Sequence, residues 1–370
     1  MRYNIETKSN KPAYLQLYEM IRNDIISDAF EYGDRLPSKR NVADDAGVSV
    51  ITAAHAYELL CDEGYAAARE KSGYYVIYRA DDFNTGNTNV QVAAPASQNR
   101  QQPHNVYTHG AGELSFNILA RTARKVMLDY AEKILEKSPN QGIYELRYEI
   151  SRYLARSVGI HAQPEQIMIG AGAEYLYGLV AQLFDNQKTV AVENPGYDII
   201  RKVYKRLGYS IDVLDLGRDG IVSEQLKNTK AQLLHVTPFH SYPSNVSASI
   251  SKKREYVRWA QGDHYIIEDN YDSELTVSAK MEDTLYSISD NDNVIFINTF
   301  SKTIAPSVRV GYMVLPKRLV EIFDSKLGFY SCTVPVLEQL ILCELIKSGD
   351  FERHINRVRR KLRKQASERK

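Results

Sequence analysis

At 370 residues the chain is too long for one ordinary domain and long enough for two with real cores. A formal net charge of +1, with 44% hydrophobic and 25% charged residues, excludes a chain-wide basic field, so any nucleic-acid contact must come from a local patch. No apolar run approaches bilayer-spanning length and the opening MRYNIETKSN is no signal peptide; three scattered cysteines (Cys61, Cys332, Cys343) lack metal spacing, which fits a reduced, cytoplasmic setting without a membrane or metal partner.

The first eighty residues predict a helix, two more helices and a hairpin. Leu15, Tyr18, Ile21, Ile25 and Ile26 recur at helical spacing after Pro12, giving one apolar face to about Ala29. Ser38 can cap a second helix with Val42 and Ala46 inward, and Ser49 a third with Ile51, Ala54, Tyr57 and Leu60, closed by Gly64. Tyr65 to Ala68 and Tyr74 to Tyr78 read as short strands around the tip Lys71-Ser72-Gly73. This order is that of a winged helix-turn-helix over residues 1–78. The run GDRLPSKRNVADDAGVSVITAAHAYELLCDEGY resembles the GntR-type DNA-binding domain. The resemblance implies a double-stranded DNA operator, with the third helix in the major groove and the wing on the adjacent backbone. Carried over by position, Ser38, Arg40, Ser49 and Thr52 are the helix contacts, and Lys71 and Gly73 belong to the wing. The family usually places a long polar residue after the position of Ser49; here it is Val50, which removes a candidate guanine reader.

Residues 79–105, rich in Asn, Gln, Ser, Thr and Pro, show no periodicity and read as a flexible linker. From Val106 strand and helix patterns alternate, which predicts an α/β domain, residues 106–370, with a mainly parallel sheet and ligands beyond the carboxyl ends of its strands. Gly170-Ala171-Gly172-Ala173-Glu174 joins a strand to a helix, where exposed amides bind phosphate. A dinucleotide fold competes, with Glu193 at the ribose position, but its frame needs glycine where the chain has Tyr175.

His264 to Glu268 is an apolar strand running into Asp269-Asn270-Tyr271; Val294 to Asn298 runs into Thr299-Phe300-Ser301-Lys302, and Ser307 to Met313 resumes a strand around Arg309. A site for pyridoxal 5'-phosphate (PLP) needs an acid against the pyridinium nitrogen, a hydroxyl near the ring phenolate and a lysine for the Schiff base. Asp269, Tyr271 and Lys302 are of those types, and Thr299, Ser301 and Arg309 can take the phosphate.

IIEDNYDSEL followed by INTFSKTIAPSVRVGY resembles the effector domain of MocR-type regulators of the GntR superfamily, a winged helix fused to an aminotransferase-like domain of fold type I. The resemblance implies that the amides of Gly172, Ala173 and Glu174 hold the PLP phosphate, that Tyr197 stacks on the pyridine, and that an amino compound or PLP is the effector of a homodimer. The loop TPFHSYPS resembles the family's TPxHQxPxG, with Ser241 for Gln, and brings His240 toward the cofactor. Thr333 to Lys347 is helical and leads into a basic tail resembling the start of the long helix before the family's small C-terminal domain, which is expected to be missing here. The expected function is a PLP-binding transcription regulator; the alternative is a working aminotransferase carrying a DNA-binding module, against which stands the want of a small-domain arginine for a substrate carboxylate.

Overall fold

The computed structural model describes residues 3–6, 11–70, 72–79, 114–184, 188–276 and 282–368. Lys71 and nearly all of the expected linker lie outside them. The chain divides into two units, Met1–Arg100 and Gln101–Lys370.

In the first unit, α1 (Ala13–Ile26) buries Leu17, Tyr18, Ile21 and Ile25. It ends at Ile26, before the turn at Asp28, whose φ is 57°; Ile26 lies off the buried stripe of Leu17, Ile21 and Ile25 and is 44% exposed, against the expected apolar face. The Ser38 hydroxyl accepts the Asn41 amide and starts α2 (Lys39–Ala46); the Ser49 hydroxyl accepts the Thr52 amide and starts α3 (Val50–Asp62). Each cap satisfies an amide that the helix cannot, worth about 1 kcal/mol. The antiparallel wing is β1 (Ala66–Arg69) on β2 (Gly73–Val76), with Ala66 opposite Val76. Leu17, Ile21, Val42, Ala53, Tyr57 and Leu60 form the core, and the buried Tyr57 hydroxyl donates to the Pro37 carbonyl.

The second unit opens with α4 (Phe116–Tyr130), a 3-10 turn and α5 (Tyr144–Ser157). Then come β3 (Ile167–Gly170), α6 (Ala173–Leu183), β4 (Thr189–Asn194), α7 (Asp198–Arg206), β5 (Ser210–Asp215) and α8 (Ser223–Asn228). These are followed by β6 (Leu233–Val236), α9 (Ile250–Trp259), β7 (Tyr265–Asp269), α10 (Leu285–Ile288), β8 (Val294–Thr299) and β9 (Gly311–Val314). Helices α11 (Lys317–Leu327), α12 (Val336–Lys347) and α13 (Asp350–Glu368) end it. The seven strands order as β3-β9-β8-β7-β6-β4-β5; β9 is antiparallel to both neighbours and the other pairs are parallel. The expected strand at Ser307–Met313 is shorter: residues 302–310 are irregular, and Arg309 lies in the loop before β9.

Alternation along the strands builds two apolar layers. Met168, Leu233, Ile267, Ile295 and Met313 pack against α6, α7 and α11. Ile169, Phe296, Tyr312 and Val314 pack against α5 and α12, while Leu234, Ile266 and Val294 meet α8 to α10. Each buried aliphatic side chain contributes about 1.5–3 kcal/mol of transfer free energy. Burial on both faces explains why these strands read as continuous apolar runs.

Gly142, before α5, has φ +95°, and a Cβ there would lie 2.5 Å from Cγ1 of Ile169 on β3. Gly142→Ala is expected to cost about 2–3 kcal/mol through strain and overpacking. Urea unfolding of the large unit, followed by circular dichroism, measures it; an unshifted midpoint would contradict this close approach.

Candidate cofactor and nucleic-acid sites

The strands β3, β4, β6, β7 and β8 run in one direction, and the chemistry collects past their carboxyl ends. There a cavity of about 290 Å³ is lined by Asp269, Tyr271, Thr299, Ser301, Lys302 and Arg309. Ala173, Glu174 and Tyr197 line it too, so distant segments of the chain meet in one place. Gly172 completes the group: it caps α6 at φ +89°, and a Cβ on it would sit 3.1 Å from Nη2 of Arg309. Glycine suits the positive φ and gives the guanidinium room that a side chain would narrow.

Asp269 is the last residue of β7 rather than the one after it, and its side chain shares the face of Ile267. That face meets α6, from which the fully buried Tyr177 donates its hydroxyl to Oδ2. Oδ1 is buried with no partner among the described residues. An unpaired buried carboxylate oxygen is costly, and burial pushes the Asp269 carboxyl up to about 7, with Asp272 adding to the shift. Lys302 is half-buried; burial lowers its pKa, opposed by Asp272, and its Nζ stands 5.6 Å from the Tyr271 ring centroid.

Several side chains are already engaged with the protein. Tyr271 donates to the His240 carbonyl at 2.8 Å. His240 itself has φ 46°, and its ring bonds Asp272 at 3.2 Å, which raises its pKa. So His240 enters through its backbone, and its ring is not part of the cavity lining. The Ser301 hydroxyl donates to the Val308 carbonyl, and Thr299 is in reach of the Val310 carbonyl. Arg309 faces Glu174 at 3.9 Å, and Glu174 also accepts from Tyr197 at 3.2 Å. Ser241, where the resembling loop has Gln, donates to Glu193.

Sequence reasoning missed Tyr177 and Thr237, which also line the cavity. Tyr177 sits four residues after Ala173, one helical turn into an otherwise apolar face, which is the signal that could have found it.

These residues fit a pyridine with a phosphate. The orphaned Asp269 oxygen suits a protonated ring nitrogen, the Gly172 cradle with Arg309 suits an anion, and Lys302 brings an amine to the same cavity.

In the first unit Ser38 and Ser49 are caps, and the Thr52 hydroxyl bonds Ser49 Oγ at 2.8 Å. Arg40 is exposed on α2. Gly73 has φ +115° and lies against Arg35, whose Nε would stand 3.2 Å from a Cβ there. Arg35 bridges to Tyr75, and Arg69 lies 4.3 Å over the Tyr75 ring. These two arginines bring positive charge to the wing base, next in the chain to Asp34 and Glu70.

A winged helix-turn-helix followed by an α/β domain with this pocket defines a DNA-binding protein carrying an aminotransferase-like domain. Residues 13–76 match the family described as bacterial regulatory proteins, gntR family, and residues 104–368 match aminotransferase class I and II, a PLP-dependent family. The chain is 30% identical over 359 residues to the pyridoxine biosynthesis transcriptional regulator PdxR of Corynebacterium glutamicum, covering 95% of this chain and 77% of that one. It is 28% identical to the probable rhizopine catabolism regulatory protein MocR of Rhizobium meliloti, covering 96% and 76%. Among solved structures, the α-aminoadipate aminotransferase LysN of Thermus thermophilus superposes with TM-score 0.62 at 23% identity, over 70% of this chain and 68% of that one. An archaeal alanine:glyoxylate aminotransferase gives 0.59 at 23%, and the chain spans 64% of its length and 66% of its own. The chain belongs to the GntR family of HTH-type transcription regulators, in the MocR-type branch whose winged helix precedes an aminotransferase-like domain.

Burial also pushes Glu268 and Glu274 to about 7 and Glu193 to about 8. With Asp269, these four acids stay protonated in the folded chain at pH values where the unfolded chain has ionised them. The unfolded state then binds fewer protons, so stability is lost as pH rises from about 4 through 7–8. His235, held neutral with its pKa depressed to about 3, and His354, also lowered by burial, work the other way below pH 6.5, while His240, raised beside Asp272, works with the acids. The thermal midpoint of the PLP-free protein is therefore expected to fall between about pH 5.5 and 8, less steeply in Asp269→Asn. A midpoint that rises over that interval would refute the raised pKa values of these four acids.

Proposed function

We propose that the protein is a PLP-dependent sensor that sets the occupancy of a DNA operator. The observation that carries this reading is the unpaired, buried Oδ1 of Asp269 in the cavity that also holds Lys302. When bound, PLP supplies an aldehyde that condenses with amines and a ring that withdraws electrons. In this reading Asp269 keeps a proton on the ring nitrogen, and Tyr177 holds the other carboxyl oxygen so that Oδ1 stays aimed. Lys302 provides the amine, made more available in its neutral form by burial. Tyr271 would redirect its hydroxyl hydrogen bond from the His240 carbonyl to the cofactor's ring oxygen. Arg309, Thr299 and Ser301, with the backbone amides of Gly172, Ala173 and Glu174, hold the phosphate; Tyr197 covers a ring face.

The DNA-binding module is residues 1–78, the linker residues 79–105 and the sensor residues 106–370, working as a homodimer. A small amino compound, or PLP itself, changes operator binding by favouring one arrangement of the modules over another. The name of the pyridoxine-regulating relative supports vitamin B6 chemistry as the signal.

Purified full-length protein mixed with PLP is expected to develop the visible absorbance of a protein-bound imine, and borohydride to fix its mass on Lys302. Lys302→Ala abolishes both, and Asp269→Asn weakens PLP binding about tenfold or more, the worth of a charged hydrogen bond. A folded wild-type chain that never takes up PLP would overturn the reading.

A further inference from the structure

The third helix of the first unit presents its apolar residues where a polar reader is expected. Ala53, Ala56, Tyr57 and Leu60 of α3 are buried. Val50 and Ile51, in the first turn, are not: Val50 is 46% exposed and Ile51 82%, the most exposed large aliphatic side chain of the unit among the described residues. Both are β-branched and rigid at χ1, so they stand as fixed apolar knobs. The neighbouring polar groups are spent locally, since the Ser49 hydroxyl caps the Thr52 amide and bonds the Thr52 hydroxyl. Positive charge for a polyanion is local in this unit, with Arg40 exposed on α2 and Arg35 and Arg69 at the wing base.

The residues that open the recognition helix of this motif meet base edges in the major groove. The single apolar group displayed there by the four bases is the C5-methyl of thymine. We infer that Val50 and Ile51 read thymine methyl groups, so that each operator half-site carries A·T pairs under the start of α3. The occupant of this apolar patch is thus double-stranded DNA of a particular sequence class. The inference rests on the DNA-binding reading of the first unit and names what that reading leaves open. Arg40 and the wing arginines contribute affinity by way of phosphates, and sequence preference comes from the two aliphatic residues.

The test starts from full-length protein and a random-sequence duplex pool, from which bound duplexes are selected and sequenced. Each thymine of the selected half-site is then replaced in turn by uracil, which removes the C5-methyl and keeps the pairing. One or two positions are expected to lose about fourfold in affinity each, the worth of one buried methyl group. In Ile51→Ala, and in Val50→Ala at its own position, thymine and uracil become equivalent; both residues are exposed, and unchanged circular dichroism checks that the variants fold. Selected half-sites without thymine, or uracil tolerated everywhere, or a uracil penalty that survives in both variants, would each overturn the inference and leave DNA binding standing. A pool that never enriches would instead bring down the DNA-binding reading itself, and this inference with it.

Discussion

The second unit depends on one carboxylate kept out of water at the end of β7. Its position is enforced from both sides: the strand is buried along its whole length, and Tyr177 rises from α6 to occupy Oδ2. An isolated acid in such surroundings would relieve itself by taking a proton, as its raised pKa shows. A cationic ring nitrogen reverses that tendency, since it supplies the charge and the hydrogen bond together. The rest of the pocket follows from the topology, because parallel strands end together and bring their following loops to one rim.

The DNA-binding unit relies on a different economy. Its helices are short, and two of the three begin at serines whose hydroxyls satisfy backbone amides. Ser49 and Thr52 hold each other, so groups that a sequence comparison would assign to DNA are partly structural. That is why exposed aliphatic residues on the same turn acquire importance.

Much of this was legible from residue order. Apolar runs of β-branched residues marked β7 and β8 because both faces of those strands are covered, and Asp269, Tyr271 and Lys302 fell where such strands end. Arg309 was misplaced in a strand: Val308 and Val310 flank it in an alternating pattern, but the Ser301 and Thr299 hydroxyls capture the Val308 and Val310 carbonyls and hold the backbone in an irregular loop. Ile26 was misassigned to the core because the buried stripe of α1 runs through Leu17, Ile21 and Ile25, and the next residue along the helix points about 100° away from it. The helical spacing of Tyr177 from Ala173 hints at the pocket, but its bond to a carboxylate 92 residues away leaves no local trace. The prior engagement of Tyr271 with the His240 carbonyl is a tertiary fact with no local trace.

The hydroxyls of Tyr271 and Ser301 already have carbonyls to donate to, and Arg309 faces a carboxylate. Admission to this pocket is therefore a swap of partners. A guest must bring enough acceptor oxygens, in the right places, to replace each bond it displaces. One that displaced these bonds without such oxygens would leave the freed donors and acceptors unpaired, at a cost of about 1–3 kcal/mol for each buried group. The lining thereby sets a demand on the acceptor pattern of any guest, beyond its size or its charge.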